Sequence, residues 1–135
     1  MPLRSSRLSA VSRAAVLLGL FATSAIAQAL EVKPFSAESL ANAQKADKPV
    51  AVHFHADWCP TCRKQAITLE RLKADKSLDT LIVLIANYDA ERDLRRSMQI
   101  RTQSTLVVFK GTNERARLAG ESDETKLATA LRSAL

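Results

Sequence analysis

The seven residues Ala56-Asp57-Trp58-Cys59-Pro60-Thr61-Cys62 constrain the fold of this chain more than any other stretch, and they hold its only two cysteines. An apolar run, Val50 to Ala56, leads in, and a run with helical spacing leads out. The order is therefore strand, short turn, Cys-x-x-Cys, helix. Pro60 suits the first helical position, where a missing N–H costs nothing. Cys59 then stands at the start of the helix, facing free backbone N–H groups and the positive end of the helix dipole. A thiolate is stabilised there, and such cysteines have pKa values of roughly 3.5–7.5 against about 8.5 for a free thiol. Cys62 lies one turn on, within reach of Cys59. The pattern points to dithiol–disulfide exchange, with Cys59 attacking and Cys62 resolving.

Other uses of a cysteine pair compete with this one. A structural disulfide across so short a loop would constrain little of the unfolded chain. A metal site needs about four ligands, to which His53 and His55 could add two. Haem attachment requires a histidine directly after the second cysteine, and Arg63 stands there.

The chain has 135 residues, enough for one domain with one core. Its beginning differs in character. Arg4, Arg7 and Arg13 form a basic stretch, Ala14 to Ala22 an apolar core, and Ala25-Ile26-Ala27 fits the small-x-small cleavage rule. Residues 1–27 read as a signal peptide, with the mature domain at 28–135. As an uncleaved anchor the apolar run falls short of the ~20 residues a membrane span needs. The formal charge is +6, but three of the 20 basic residues and none of the 14 acidic ones lie in residues 1–27, which leaves +3 for the rest. The basic residues are scattered, with Arg92, Arg95 and Arg96 the densest group. This reads as a solvated helix face, not a nucleic-acid site. An exported chain with one cysteine pair fits an oxidising compartment, where the pair would oxidise unless a reductant were supplied.

Along the mature chain, Gln28 to Phe35 is a leader with room for a short edge strand. Ser36 caps a helix running to about Ala46, with Leu40 and Ala43 inward. Pro49 ends it, and Val50 to Ala56 is a strand apolar on both faces, as in a covered sheet. The helix from Pro60 to about Ala74 turns Cys62, Ala66, Leu69 and Leu72 inward, and Lys73 to Thr80 is a polar connection. Leu81 to Ala86 is a second buried strand. Glu91 to Gln99 is a short helix with Leu94 and Met98 on one face. Thr105 to Lys110 is a third strand, turning at Gly111-Thr112-Asn113 into Arg115 to Leu118. Ser122 caps a last helix with Leu127, Ala130, Leu131 and Ala134 as its buried stripe. The predicted fold class is α/β, a central mixed sheet with helices on both faces.

From about Val50 to Leu135 the chain resembles the thioredoxin-fold family. The resemblance is carried by the strand before Trp58-Cys59-Pro60-Thr61-Cys62, by Asn87-Tyr88-Asp89, by Ile100 to Lys110 and by Gly120 before the last helix. The Ala-Asp-Trp-Cys segment is also similar to the reducing C-terminal domain of the membrane thiol–disulfide carriers. It implies a thioredoxin fold and a thiol–disulfide oxidoreductase. It implies that Trp58 lines the groove around an exposed thiol, and that Pro60, Thr61, Gln103 and Ser104 contact substrate with it. Gly120 either admits a substrate backbone or is a plain turn glycine.

The chain departs from the family at three places. Thioredoxins commonly carry a cis-proline directly before the position of Thr105, and Ser104 stands there. A cis bond at a serine costs roughly 3–4 kcal/mol, so a trans Gln103–Ser104 bond and a reshaped groove are expected. The serine brings an N–H and a hydroxyl, each able to hydrogen-bond a thiolate. The family's buried acid aligns with His53 and its lysine partner with Ile85, so acid and counter-ion are lost together. His53 and His55 share parity along the strand and face the Cys-x-x-Cys side. Two readings of His53 stand: a proton relay for Cys62, or a protonated stabiliser of thiolate, on the functional side; and a neutral core histidine on the other. His55 reads as packing. Ile67 replaces a helix-kinking proline, which predicts a straighter helix.

The expected activity is reduction of disulfides in exported, periplasmic proteins through a Cys59/Cys62 dithiol cycle. A membrane thiol–disulfide carrier would be the electron donor. No cofactor is implied beyond the redox-active pair itself, no metal is assigned, and a monomer is expected. The alternatives are a disulfide oxidase and a metal-binding or delivery module that uses the two cysteines.

Overall fold

Val50, Val52 and Phe54 alternate with Ala51 and His53, and all five are buried, so this segment forms the middle of a sheet covered on both faces. The computed structural model describes residues 30–135; the expected signal peptide, residues 1–27, lies outside the described residues. The elements run β1 (Leu30–Pro34), α1 (Ala37–Lys45), β2 (Pro49–His55), α2 (Pro60–Leu72), β3 (Leu81–Asn87), α3 (Arg92–Ser97), β4 (Thr105–Lys110), β5 (Asn113–Ala119) and α4 (Glu124–Arg132). The sheet order is β1-β3-β2-β4-β5. β1 and β2 pair parallel with β3, while β4 pairs antiparallel with both β2 and β5. This is the expected mixed sheet, with the leader supplying edge strand β1.

Two apolar layers hold it together. Ala51, Leu69, Leu72, Val83, Leu106, Leu127 and Leu131 pack on the face covered by α2 and α4. Leu40, Val50, Val52, Phe54, Leu84 and Val107 pack on the face of α1, with Leu94 and Met98 of the α3 segment against them. Full burial of each large apolar side chain contributes about 1.5–3 kcal/mol. His53 shares the parity of Ala51, so it faces the α2–α4 layer.

Local chemistry places the helix ends. Ser36 caps α1, its Oγ accepting the Ser39 N–H at 3.0 Å. The last helix is capped by Asp123 and not by Ser122: the Asp123 carboxylate accepts the Lys126 N–H at 2.9 Å. The Glu121 carboxylate takes the N–H groups of both Ser122 and Asp123, which holds Ser122 in the turn ahead of the helix. In α2, Ala66 is only half-buried, and Gln65 and Thr68 are buried in the face it was expected to share. They can be buried because both find polar partners across the core. The polar connection after α2 contains a single 3-10 turn, Lys76–Leu78, which buries Leu78.

Candidate active site

The site lies where β2 ends and α2 begins. The Ala56 carbonyl accepts the Cys59 N–H at 3.0 Å, and this turn lifts Asp57 and Trp58 outward. Cys59 is the cap of α2: its backbone is extended and its Sγ accepts the Cys62 N–H at 3.2 Å. Pro60 occupies the first turn without an orphaned N–H. Both cysteines are free thiols. The sequence therefore builds a thiol into the place where a helix usually puts an oxygen acceptor.

Ser104, at the entry to β4, reaches this pair from the other side. Its hydroxyl oxygen lies 3.0 Å from Cys59 Sγ and 3.1 Å from Cys62 Sγ. A hydroxyl has one proton, so it donates to one sulfur and accepts from the other. The Ser104 N–H does not join in, since it donates to the Phe54 carbonyl at 2.9 Å. Only one of the two donors expected from the serine reaches sulfur. No peptide bond among the described residues is cis, so the Gln103–Ser104 bond is trans, and Ser104 has φ of +61°. That left-handed conformation is closed to proline, whose ring holds φ near −65°.

The two thiols are pushed apart. Burial raises the Cys59 pKa, but the Cys62 thiol beside it, the Ser104 hydroxyl and the N–H groups of Cys62 and Thr61 outweigh it. The net effect holds Cys59 below the ordinary thiol value. Burial raises Cys62, and the neighbouring Cys59 sulfur raises it further. The proton order follows: Cys59 is the thiol that gives up its proton first, with Ser104 donating to it, and Cys62 is the one that keeps its proton longer.

The resemblance implied an exposed thiol, whereas Cys59 is only 3 % exposed and Cys62 is fully buried. Ser104, Ala56 and the half-buried Tyr88 close over the sulfurs. The cover is thin, because Trp58 and Pro60 beside Cys59 are exposed. Trp58 is 57 % exposed and its indole N–H donates to the Asp89 carboxylate at 2.8 Å. Asp89 is itself placed by Asn87, whose side-chain oxygen accepts the N–H groups of Asp89 and Ala90. The Tyr88 ring carries the Arg95 guanidinium 4.0 Å from its centre, and its hydroxyl donates to the Arg101 carbonyl.

Of the other expected site residues, Thr61 and Gln103 are half-buried and Pro60 and Gly120 are exposed at the rim. Ser104 is buried and presents its hydroxyl to sulfur instead of to solvent. Gly120 has φ of +69° with open space where a side chain would begin, and its N–H donates to the Ser104 carbonyl at 3.0 Å. His53 is fully buried and its hydrogen bond goes to Gln65, not to a sulfur. Burial keeps it neutral, so it is not the protonated stabiliser of thiolate. His55 lies 3.2 Å from the Asp57 carboxylate, with its ring edge-on to that of His53. Among the described residues no three histidine, cysteine or acidic side chains gather to hold a metal ion. Sequence reasoning passed over Gln65 and Asp89. The signal for Gln65 was its position one turn after Cys62 on the buried face of α2.

A thiol of lowered pKa capping a helix, a thiol of raised pKa one turn on and a hydroxyl within reach of both define a dithiol oxidoreductase. The thioredoxin family model matches residues 31–133. The chain is 35% identical over 98 residues to thioredoxin of Alicyclobacillus acidocaldarius, covering 70% of this chain and 92% of that one. It is 35% identical over 91 residues to thioredoxin of Acidithiobacillus ferridurans, covering 67% and 83%. Among solved structures, a protein titled Trxlp from Edwardsiella tarda superposes with a TM-score of 0.71 at 32% identity, covering 75% of this chain and 98% of that one. The chain belongs to the thioredoxin family, and it is a thiol–disulfide oxidoreductase with the thioredoxin fold.

Proposed function

We infer that the protein is an exported reductase of protein disulfides, with Cys59 as nucleophile and Cys62 as resolving thiol. The Cys59 thiolate attacks one sulfur of a target disulfide. A Cys59–target bond forms, the target S–S bond breaks, and the second target sulfur leaves with the electron pair and takes a proton. Cys62 then gives up its proton, to which the Ser104 hydroxyl is the nearest oxygen, and attacks Cys59 Sγ. The first target sulfur leaves and is protonated. The target gains two electrons and two protons, and the Cys59–Cys62 bond stores the oxidation.

The observation that carries this reading is the placement of two thiols on one hydroxyl, with Cys59 Sγ at the helix start also accepting the Cys62 N–H; burial and these bonds push the two pKa values in opposite directions. Trp58 and Gln103 offer partly exposed surface beside Cys59 for a target peptide. The reducing direction is supported by the likeness of the Ala-Asp-Trp-Cys segment to reducing domains. It is also supported by short connections between elements, which leave no inserted cap over the site among the described residues. Export is supported by the basic stretch, apolar core and Ala25-Ile26-Ala27 of residues 1–27. In a periplasm the pair needs an external dithiol donor, for which a membrane thiol–disulfide carrier has the required chemistry. The working unit in this reading is a monomer.

Reduction of insulin by the purified chain with dithiothreitol as donor tests the activity, and Cys59→Ser should abolish it. Equilibration against glutathione tests the direction. A potential near about −270 mV supports a reductase, and one near about −120 mV makes it an oxidase. Cys62→Ser should trap targets on Cys59 for identification by mass spectrometry. A mature N-terminus at Gln28 in a periplasmic fraction is the expected result for export, and one at Met1 refutes cleavage.

A further inference from the structure

Gln65 is buried beside the thiols, although disulfide exchange needs no amide. Its amide is fully committed. Nε2 donates to the Ser104 carbonyl at 2.9 Å and to the Glu121 carbonyl at 2.6 Å, and Oε1 accepts from His53 Nε2 at 2.7 Å. Two of the three partners are carbonyls, which only accept, so the amide has one orientation and His53 must donate. One side chain of α2 thus ties together β2, the turn into β4 and the turn after β5. Ser104 needs such a tie. A non-glycine residue at φ of +61° costs roughly 1–2 kcal/mol and persists only where its surroundings over-determine it. The Ser104 carbonyl takes N–H groups from Gln65 and Gly120, and its own N–H is held by Phe54.

We propose that Gln65 is a positioning residue: by holding the Ser104 carbonyl it keeps the Ser104 hydroxyl turned onto both sulfurs and so sets the reactivity of Cys59. His53 belongs to the same arrangement, because it orients the amide and touches neither thiol. The proposal rests on Cys59–Cys62 exchange as the activity of the site. The other ionisable groups around the pair include His55, Asp57, Tyr88, Asp89 and Glu121, with Arg63 donating to the Asp57 carbonyl and Arg95 over the Tyr88 ring, and the Gln65 amide bonds none of their side chains.

The test is the thiolate titration of the reduced full chain, read by ultraviolet absorbance, in wild type, Gln65→Met, Ser104→Ala and the double variant. Methionine keeps the length of glutamine and removes its amide. Gln65→Met should lower the thiolate-to-thiol ratio of Cys59 about tenfold, which moves the midpoint up by about one pH unit. Ser104→Ala should do the same. The double variant should add nothing to either, because both act through one hydroxyl. An unmoved midpoint in folded Gln65→Met, or additive effects, overturns the proposal. If Gln65→Met does not fold, the wild type decides. Its Gln65 side-chain amide resonances should shift with the Cys59 midpoint, and indifference to it overturns the proposal. None of these readings needs a disulfide substrate. Thiols that titrate as expected in a chain unable to reduce insulin refute the proposed function and leave Gln65 positioning Ser104. Insulin reduction with a Gln65→Met titration like wild type refutes the role of Gln65 alone.

Discussion

His53 Nε2 lies 2.7 Å from Gln65 Oε1, inside the core and between the central strand and the active-site helix. Burial lowers the imidazole pKa; the Gln65 bond opposes it, His55 adds to it, and the result is about 4 against an ordinary 6.5. The unfolded chain therefore binds the proton more readily than the native one. Stability from this group is complete above about pH 6.5, falls as pH drops, and levels off below about pH 4. The loss across that window is roughly 3 kcal/mol. Urea unfolding at a series of pH values should show it, and His53→Leu should flatten the dependence. The rate of exchange should have no limb near pH 4 that disappears in His53→Ala; such a limb would make His53 a proton relay.

Cys59 and Cys62 should differ sharply towards an alkylating agent. Hydrogen bonds hold the Cys59 pKa down, while burial holds the Cys62 pKa up. Iodoacetamide at neutral pH should modify Cys59 first, with a pH midpoint below that of a free thiol. Cys62 should react only on unfolding. Peptide mapping of the native and the urea-treated protein checks both statements. Equal labelling of the two would contradict the proton order drawn above.

Ser104→Pro should destabilise the protein, although it restores the residue common in the family. Proline cannot take φ of +61° and has no N–H for the Phe54 carbonyl. The cost should be at least about 3 kcal/mol by urea unfolding. A proline variant as stable as wild type would mean that the turn into β4 can adopt a second backbone course.

Asp89→Ala should free the Trp58 indole, whose N–H it receives at 2.8 Å. The pair is exposed, so stability should change by less than about 1 kcal/mol. Trp58 fluorescence should shift and become more accessible to a soluble quencher. If Trp58 contacts the target peptide, KM for insulin should rise about two- to fivefold with kcat little changed, as expected when binding alone is weakened by up to about 1 kcal/mol. An unchanged fluorescence spectrum would mean that the indole does not use Asp89 in solution.

Much of the fold was legible because its signals are short-range. Alternation and apolar runs marked β2, β3 and β4, and Ser36 marked the start of α1. The start of α4 was misread by one residue, since Ser122 and Asp123 are both good caps. A contact through the Glu121 side chain chose between them. Ala66 was placed inward by spacing alone. Gln65 took that face because carbonyls of two distant turns satisfy its amide, and hydrophobic periodicity gives no weight to a glutamine.

The chemistry of Cys59 depends on things a few residues away: a strand before it, Pro60 after it and the free N–H groups of the first turn. Local spacing was enough to mark it as a candidate. The state of the thiol pair depends on Ser104, 45 residues from Cys59, and on Gln65, which is 39 residues from Ser104 and 56 from Glu121. Folding alone brings those groups together. Only burial decides that His53 is neutral and that the Cys59 sulfur is covered. A hydrogen bond or a desolvation penalty acts over a few ångströms of space, whatever the separation along the chain.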